Sequence, residues 1–431
     1  MIQNQKLLQK AYDAWVAGAD LRAVRSRLKR YTYGDQWCDL VTDENGKQVP
    51  ERDMLLRAGR RPLTNNRLRQ MVKTIIGRFR LRAADVDDYR SDTARLNRLL
   101  ELDCRLLEEF IISGCAIQRV WPERRAAGQG VWIDNVNPDR FFVNHFTDPR
   151  GFDIDFIGML HDYSPAELIN QFGGNRHRVD KLRQLMAADV DTAFSLADSI
   201  GSTVAANDFF RAPQGRHRVI EIWRLRALEQ TRGTRVSMDV HWCCTFMLAN
   251  GTVLQEFISP FQHQSHPFVV NFYPLIDGEI HPFVEDLIDQ QRSINRIVVM
   301  LDSMLATSAK GVLIFPTKQL PNGMTMKQIG SLWSRSDSVI PINGNGDLPQ
   351  QVITNTANSG AAEILGLQLK LFEDVAGVND ALLGRNISAA TGSDLYQQMV
   401  QNASITLSDL METFASFTEA RNLLAARSLK K

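Results

Sequence analysis

The chain has 431 residues, 44% of them hydrophobic, which is enough apolar material for roughly two to four structural units. Its 50 lysine and arginine residues against 49 aspartate and glutamate residues leave a formal net charge of +1. Because proteins that hold nucleic acid tightly usually carry a basic surplus, this balance argues against an ordinary high-affinity DNA-binding protein.

Cysteine usage and hydropathy predict a soluble protein made in a reducing cytoplasm. The five cysteines are scattered, and the sequence contains no C-x-x-C pair for zinc. Met1 leads directly into a polar segment, which predicts no secretory signal. The most apolar stretch, 294–315, contains Arg296, Asp302 and Lys310, so no membrane span is expected there.

The first 115 residues show the spacing of amphipathic helices. Apolar residues at intervals of three and four predict helices over 5–30, 63–82 and 92–113. The first of these ends in a cluster of bases, which is typical of a solvated last turn because cations favour the negative end of the helix dipole. Residues 1–90 hold 19 basic and 11 acidic side chains, so the basic excess of the chain is concentrated here.

Between 116 and 280 the pattern changes to the alternation that is typical of half-buried strands. Strands are predicted over 116–121, 131–136, 154–160, 219–227, 236–246, 252–257 and 268–272. Two helices interrupt them, one opening at Ser164-Pro165 and one near 179–186. The turn over 248–251 suits a hairpin, so this region is expected to be α+β with antiparallel pairing.

A long helix is predicted over 283–309, where about 40 Å of chain contains neither proline nor glycine. Its main apolar stripe is formed by Leu287, Ile294, Val298, Leu301 and Leu305. A second apolar stripe makes the helix hydrophobic on more than one side, so it must pack against several neighbours. Periodicity alone favours the central core helix of a monomer.

A small β/α segment follows this helix. Its predicted elements are strands over 311–315, 339–342 and 351–354 and a helix over 324–333. A turn at 343–347 is expected to join the last two strands into a hairpin.

The C-terminal part is predicted to be helical on both sides of an irregular segment. A helix over 361–376 ends at Gly377 as its C-cap. The segment 378–392 is irregular and is expected to be exposed. Apolar residues spaced by three and four then predict one long helix from 393 to 431.

Catalytic and cofactor motifs are missing from the sequence. It contains no G-x-x-x-x-G-K-[ST] phosphate loop, no G-x-G-x-x-G and no G-x-S-x-G motif. His263 and His266, with His281 beyond them, are expected in a loop before a strand rather than at a metal. The acidic run 85–88 is expected to be a solvated loop. We therefore predict no catalytic residue, no metal site and no cofactor.

Several segments resemble the portal proteins of tailed bacteriophages, in the same order along the chain. Residues 266–268 (His-Pro-Phe) and 274–278 (Pro-Leu-Ile-Asp-Gly) lead into a helix that carries Gln291 and Asn295, which resembles the entry to the portal stem. Further agreement with the family is found at 61–66, 137–149 and 377–393. Each motif alone is weak, but their order along most of the chain is fairly specific.

The resemblance implies an α+β, multi-region portal fold assembled as a ring. The family has an α/β wing, a two-helix stem, a small β/α clip and a crown, which would be small here because the chain stops after one long C-terminal helix. The implied regions are a wing over 1–282, stem helices over 283–310 and 361–377, a clip over 311–360, a tunnel loop over 378–392 and a long wing or crown helix over 393–431.

The resemblance also implies three groups of functional residues. Transient DNA contacts are assigned to the tunnel-loop residues Asn379, Arg385, Asn386 and Ser388, with an ordinary polar loop as the alternative. The stem interface is assigned to the apolar stripe Leu287, Ile294, Val298, Leu301 and Leu305. Docking of the packaging motor and tail adaptors is assigned to the clip residues Lys318, Lys327, Trp333 and Arg335.

As a portal, the protein would be a non-enzymatic ring of about twelve copies at one capsid vertex of the virion, assembled in the cytoplasm of a bacterial host. Its expected partners are double-stranded DNA in the channel, the terminase large subunit, tail adaptor proteins and the major capsid or scaffolding protein, with no membrane. The near-zero net charge fits this function, because each contact between a basic side chain and a phosphate would slow DNA that slides through the channel. The basic surplus of 1–90 is then either a surface for capsid protein or packaged DNA, or a solvated face. Alternatives are a metal-dependent DNA-processing enzyme of a mobile element and another structural head component.

Overall fold

The computed structural model describes residues 2–83, 87–125, 128–199, 208–232, 235–308, 312–334, 340–343, 348–352, 358–378, 405 and 407–428. Helices and strands are both abundant, which confirms the α+β class. Unit 1 consists of Met1–Lys29, Met71–Asp286 and Thr391–Lys431, and unit 2 consists of Arg30–Gln70 and Leu287–Ala390. None of the helices in the described part of the chain combines the length and the apolar character of a membrane span.

The first predicted helix is interrupted at Gly18, which divides it into α1 (Ile2–Ala17) and α2 (Ala19–Thr32). The Trp15 carbonyl accepts a hydrogen bond from the Gly18 backbone N–H at 3.2 Å and another from the Arg22 guanidinium at 2.7 Å. The Arg22 guanidinium also stacks on the Trp15 ring, 3.7 Å from its centroid. These contacts occupy the carbonyl that would otherwise continue the helix ladder.

The helix predicted over 92–113 is likewise two helices, α5 (Asp92–Asn97) and α6 (Leu99–Ser113). Arg98 between them has a left-handed backbone, with φ of +49°. Asn97 accounts for the break, because its side chain donates to the Val131 carbonyl and accepts the Ile133 backbone N–H. The prediction over 63–82 is confirmed as α4 (Arg67–Ala83).

Every strand predicted between 116 and 280 is present, in two antiparallel sheets. The smaller sheet has the order β10 (Phe268–Phe272), β3 (Cys115–Arg125), β4 (Gly128–Asn135). The larger sheet is a meander of β5 (Phe141–Val143), β6 (Phe156–Tyr163), β7 (His217–Arg232), β8 (Arg235–Leu248) and β9 (Val253–Ile258). The predicted turn closes the β8–β9 hairpin, where Gly251 N–H donates to the Leu248 carbonyl.

The core of unit 1 is shared by the two sheets and by α7 (Pro165–Phe172). Trp223 and Phe246 of the larger sheet belong to the same buried cluster as Ile117 of the smaller one. Helix α7 starts at the predicted Ser164, whose hydroxyl accepts the Glu167 N–H while the Glu167 carboxylate accepts the Ser164 N–H. Helix α8 (Arg176–Ser199) is longer than predicted.

Two further elements complete unit 1. Strands β11 (Leu275–Ile276) and β12 (Glu279–Ile280) form a small hairpin. The C-terminal helix α12 (Ser408–Ala426) packs on strands β3 and β10 and buries Phe414 and Phe417. The prediction of a helix to residue 431 is wrong at its end, because the helix stops at Ala426, and residues 393–404 lie outside the described residues.

Unit 2 begins with the hairpin of β1 (Leu40–Thr42) and β2 (Gln48–Pro50), followed by α3 (Glu51–Arg57). Its longest helix is α9 (Ile288–Ser308). The prediction started this helix at 283, but Glu285–Leu287 forms a 3₁₀ turn. The Glu285 N–H bonds the Pro282 carbonyl three residues back, so the tighter turn precedes the α-helix.

The small β/α segment pairs differently from the prediction. Strand β13 (Val312–Ile314) pairs with β14 (Gln350–Val352), and α10 (Met326–Ser334) lies between them in sequence. The predicted strand 339–342 is wrong over its described residues 340–342, which are not in a strand. Pro341 supplies the reason, since proline has no backbone N–H to donate to a ladder.

Helix α11 (Asn358–Ala376) confirms the prediction over 361–376. It ends at Gly377, whose φ of +62° is the left-handed conformation expected of a C-cap glycine. Val378 N–H donates to the Glu373 carbonyl at 3.1 Å, and Gly377 N–H donates to the Asp374 carbonyl at 3.2 Å. The helix therefore ends in a fully bonded Schellman motif.

Candidate functional site

A buried polar anchor lies near the start of α9. Gln291 is completely buried, and its amide nitrogen donates to the Asn65 carbonyl at 2.7 Å. Its Oε1 accepts the backbone N–H groups of Arg67 at 2.9 Å and Leu68 at 3.2 Å. These are the first residues of α4, whose N–H groups have no partner within the helix. Gln291 therefore caps α4 from a helix more than 200 residues away in sequence.

Asn295 lies one turn further along α9 and extends the same network. Its Oδ1 accepts the Asn65 N–H at 2.9 Å and a Gln291 amide hydrogen at 3.1 Å. Its Nδ2 donates to Gln36 Oε1 at 2.6 Å, and Gln36 Nε2 donates to the Tyr31 carbonyl at 2.8 Å. Sequence analysis singled out Gln291, Asn295 and 61–66 as separate motifs, and the structure joins them in one network.

The charged side of α9 is neutralised within unit 2. Arg292 and Arg296 reach the Glu51 carboxylate at 3.2 and 2.7 Å, and Arg292 lies 3.4 Å from the Asp39 carboxylate. No local pattern in the sequence indicates these acidic partners, which lie more than 240 residues earlier. Both cations of α9 are thus committed to contacts inside the chain.

The five residues assigned to a stem interface occupy different environments. Leu287 and Ile294 are completely buried and belong to the interior of the chain. Val298 and Leu301 are half-buried. Leu305, at 57%, is the exposed member of the five. The apolar surface that α9 exposes is therefore confined to its C-terminal half.

A larger apolar surface lies on α11, which packs against α9. Ala361, Phe372 and Ala376 are buried. An adjacent side of the helix exposes four large aliphatic residues spaced by three and four, Ile364, Leu367, Leu371 and Val375, which we call the α11 ridge. Their exposed fractions lie between 37% and 56%. The sequence pattern was the same as that of a core helix, so periodicity could not reveal that this side is uncovered.

The structure describes three of the four residues assigned to the clip. Lys318 and Lys327 are exposed, Trp333 is half-buried, and Arg335 lies outside the described residues. Thr325 begins α10 with a reciprocal cap, since its hydroxyl accepts the Gln328 N–H and its own N–H donates to Gln328 Oε1. The predicted tunnel-loop contacts fall outside the described residues, namely Asn379, Arg385, Asn386 and Ser388.

A buried ion pair fixes α12 within unit 1. The Arg421 guanidinium contacts the Asp103 carboxylate of α6 at 2.5 Å, and both side chains are almost completely buried. Gln118 and Tyr89 donate further hydrogen bonds to Asp103, at 3.2 and 2.9 Å. Burial, and then the Asp103 charge, raise the pKa of Tyr89 well above its ordinary value, so it stays a donor. Sequence analysis missed this pair because the two residues are 318 positions apart.

Glu221 forms a second buried charge cluster, in the larger sheet. It accepts from Arg119 at 3.0 Å, from the Trp223 indole at 2.8 Å, and contacts His161 at 2.7 Å. Burial alone would raise the pKa of Glu221, but Arg119 and His161 outweigh it and lower the pKa to about 2. A carboxylate held ionised by three partners is suited to fixing a core rather than to carrying a proton.

The histidines and cysteines show no arrangement for chemistry in the described part of the chain. Burial lowers the pKa values of His263 and His266 to about 4, and their Nδ1 atoms accept the N–H groups of Ser265 and Phe268. All five cysteines are buried, and burial raises the pKa of Cys115 to about 12. No group of three or more histidine, cysteine or acidic side chains is placed for a metal among the described residues.

Comparison with known proteins supplies one match. A family model described as Phage P22-like portal protein matches residues 104–421, which include both sheets and α9, most of α6 and most of α12. No curated protein is similar enough to the chain to count as a match.

Proposed function

The chain belongs to the phage P22-like portal protein family, and on that premise we propose that it assembles into a ring at one vertex of a viral capsid. The ring has about twelve copies, surrounds a channel for double-stranded DNA and carries no catalytic activity. The observation that supports this proposal most directly is the α11 ridge, because its apolar side chains need a cover that a neighbouring copy can supply.

Ring closure requires an interface between two different surfaces of the same subunit. The α11 ridge offers one of these surfaces, and the exposed end of α9 at Leu305 is close to it in chemical character. Aliphatic side chains that are half exposed in one subunit become buried in a ring, and each contributes about 25 cal/mol per Å² of apolar surface removed from water. Leu287 and Ile294 act inside each subunit instead.

The small number of free positive charges on the stem helices supports DNA that slides through the channel rather than DNA that stays bound. Helices α9 and α11 contain three basic residues, Arg292, Arg296 and Lys370, and two of these are paired with Glu51. These helices can therefore make few phosphate contacts, and a small number of such contacts keeps the affinity that would resist movement low. We assign the transient DNA contacts to the tunnel loop 378–392, at Asn379, Arg385, Asn386 and Ser388.

The remaining assignments give the clip and the wing the functions that these regions have in the family. We propose that the segment 311–360 is the clip, which docks the terminase large subunit during packaging and tail adaptor proteins afterwards, through Lys318, Lys327, Trp333 and Arg335. The wing, 1–282, meets the major capsid or scaffolding protein. Assembly takes place in the host cytoplasm, and the finished ring stays in the virion.

Native mass spectrometry of the full chain tests the ring directly. We expect one dominant oligomer near twelve copies and, in negative stain, particles with a central hole. Monomers at all protein and salt concentrations would overturn the proposal. Incubation with linear DNA and Mg²⁺ or Mn²⁺ tests the alternative function, since a DNA-processing nuclease would shorten the DNA and a portal would leave it intact.

Deletion of residues 379–392 tests the tunnel-loop assignment. We expect rings to form as in the unmodified chain, while DNA packaging or retention of the packaged genome falls. Loss of the ring itself would show that this segment belongs to the assembly interface instead.

A further inference from the structure

Helix α4 carries an unusual concentration of positive charge. Its 17 residues include six bases and no acid, although the whole chain is nearly neutral. The bases are Arg67, Arg69, Lys73, Arg78, Arg80 and Arg82. This helix alone contributes most of the basic excess of residues 1–90, and its Lys73–Arg82 part lies in unit 1.

One side of α4 faces away from the interior. Lys73, Gly77 and Arg80 are spaced by four and three residues, so they share a side of the helix, and all three are exposed. The opposite side buries Met71, Val72 and Ile75. The positive residues are therefore not needed to cover the core, and they form a surface with Arg82 that we call the α4 basic side.

Of the three cations on the α4 basic side, one is paired with a carboxylate and the other two have no such partner among the described residues. Arg80 is bonded to the Glu101 carboxylate, which Arg105 shares. The side chains of Lys73 and Arg82 make no ion pair or hydrogen bond to any residue within the described ranges. A cluster of like charges destabilises a folded chain unless a partner of opposite charge neutralises it.

Gly77 adds open space to the same side of the helix. It lies in the middle of α4 between Lys73 and Arg80, and a Cβ placed on it would have nothing within 4 Å. Glycine inside a helix costs about 1 kcal/mol relative to alanine, and here no contact within the chain requires the missing side chain. Its position leaves open space between the two flanking cations.

We propose that the α4 basic side binds the phosphate backbone of double-stranded DNA. This inference rests on the proposed function, which brings DNA to the protein. Lysine and arginine donate charge-assisted hydrogen bonds to phosphate without reading sequence, and an open glycine lets the backbone approach. A protein partner would need large apolar anchors, whereas this side offers cations, glycine and the single flanking aliphatic residue Leu81. This surface holds DNA, in contrast to the weakly basic stem helices.

The salt dependence of DNA binding tests this proposal. A 30-base-pair duplex is titrated into the full chain at several NaCl concentrations, with the K73Q/R80Q/R82Q variant beside the unmodified protein. We expect affinity near 0.1 M salt to fall about tenfold or more, and the slope of log affinity against log salt to become shallower by about 0.9 for each phosphate that the variant no longer neutralises. The effect should be the same for unrelated DNA sequences.

The matched control removes equal charge from elsewhere. Arg57, Arg150 and Arg183 are more exposed than Arg80 and are paired with nearby carboxylates, so R57Q/R150Q/R183Q should leave the slope unchanged. Equal slopes for the unmodified protein and the α4 triple variant would overturn the proposal. So would tighter binding of polyglutamate than of a DNA duplex of equal charge, which would identify an acidic protein as the partner.

Gly77→Gln separates close contact from a diffuse electric field. It adds neutral bulk to open space and keeps every charge, so we expect DNA affinity to fall several-fold. Gly330→Gln, at an equally open helical glycine of α10, should have no effect on it. Unchanged affinity in Gly77→Gln would overturn the close contact. Native mass spectrometry of the same samples reports on the ring separately, so a missing ring would refute the proposed function without removing the α4 measurement.

Discussion

Helices α4 and α11 have similar lengths and both expose one side, but the two sides differ completely in chemistry. Helix α4 presents Lys73, Arg80 and Arg82 around an open glycine, whereas α11 presents four aliphatic residues in a ridge. Positive charge attracts a polyanion over a Debye length of about 10 Å at 0.1 M salt and tolerates many positions of it. An apolar ridge gains energy through close packing against a complementary surface.

The difference teaches that one chain can serve two partners with opposite requirements. A neighbouring subunit must stay in one position, so contact through packed aliphatic residues suits it. DNA has no fixed register on a protein that ignores its sequence, so contact through cations and phosphate suits it. On the two proposals made above, α4 would meet DNA and α11 would meet a neighbouring subunit.

The largest effect is expected from placing charge in the α11 ridge, which tests whether this side of the helix packs against a neighbouring subunit. The double substitution Leu367→Glu and Leu371→Glu should abolish the ring, because each carboxylate would have to be buried without a partner. Native mass spectrometry should show monomers in place of rings. Ala362→Glu is the matched control, since Ala362 is exposed on the opposite side of α11 from Leu371 and should leave the ring intact. Rings formed by the double variant would refute the role of the ridge.

The second test measures how much the buried polar anchor of α9 stabilises the folded chain. Asn295→Ala removes the partners of the Asn65 N–H and of Gln36 Oε1, which should lower the free energy of unfolding by about 2–4 kcal/mol. Thermal unfolding followed by circular dichroism measures the effect. Ser293→Ala, at a half-buried serine of the same helix, should change it by less than about 0.5 kcal/mol. Equal melting temperatures in the two variants would contradict the importance of this network.

The third test concerns the effect of acid on folding stability, which we expect to arise in the core rather than on the exposed side of α4 or α11. The folded pKa of His266, about 4, lies below its ordinary value of 6.5, so the unfolded chain binds more protons between these values. Stability should therefore fall as the pH drops from 6.5 to 4. His266→Asn keeps an acceptor for the Phe268 N–H and removes the titrating ring.

The melting temperature of His266→Asn, measured at pH 6.5 and 4.5, should fall less on acidification than that of the unmodified chain. The difference corresponds to about 1–3 kcal/mol of unfolding free energy. An equal fall in both proteins would show that His266 is not responsible for acid sensitivity.

The smallest expected effect concerns Gly77 alone. Gly77→Ala should raise the free energy of unfolding by about 0.5–1 kcal/mol, because alanine is the better helix former and its methyl group meets open space. Chemical denaturation measures the gain. A loss of stability would mean that the position is covered in the folded protein, and the comparison of two open sides would fail.

The sequence predicted local structure well wherever a regular pattern ran without a tertiary interruption. All seven strands between 116 and 280 are present, as are the Ser164 cap and the Gly377 cap. The breaks at Gly18 and Arg98 were missed because they depend on side-chain contacts of Arg22 and Asn97 rather than on a pattern. The strand predicted at 339–342 failed because β-like composition outweighed the missing N–H of Pro341.

The candidate site was predictable in its parts but not in its assembly. Gln291, Asn295 and 61–66 were each recognised, yet no local signal indicates that they meet across more than 220 residues. The stem stripe on α9 was chosen by periodicity, which cannot distinguish the buried Ile294 from the exposed Leu305. Exposure of the α11 ridge required the folded chain, because hydrophobic spacing is the same on a covered and on an uncovered helix.

The Arg421–Asp103 pair makes the stability of unit 1 depend on the end of the chain. Asp103 lies in α6, and the arginine that neutralises it comes 318 positions later, in α12. A chain that stops before Arg421 would lack this cation and its contact with Asp103, so unit 1 would be less stable than in the full chain. During synthesis, unit 1 would therefore reach its full stability only after the last turns of α12 have been made.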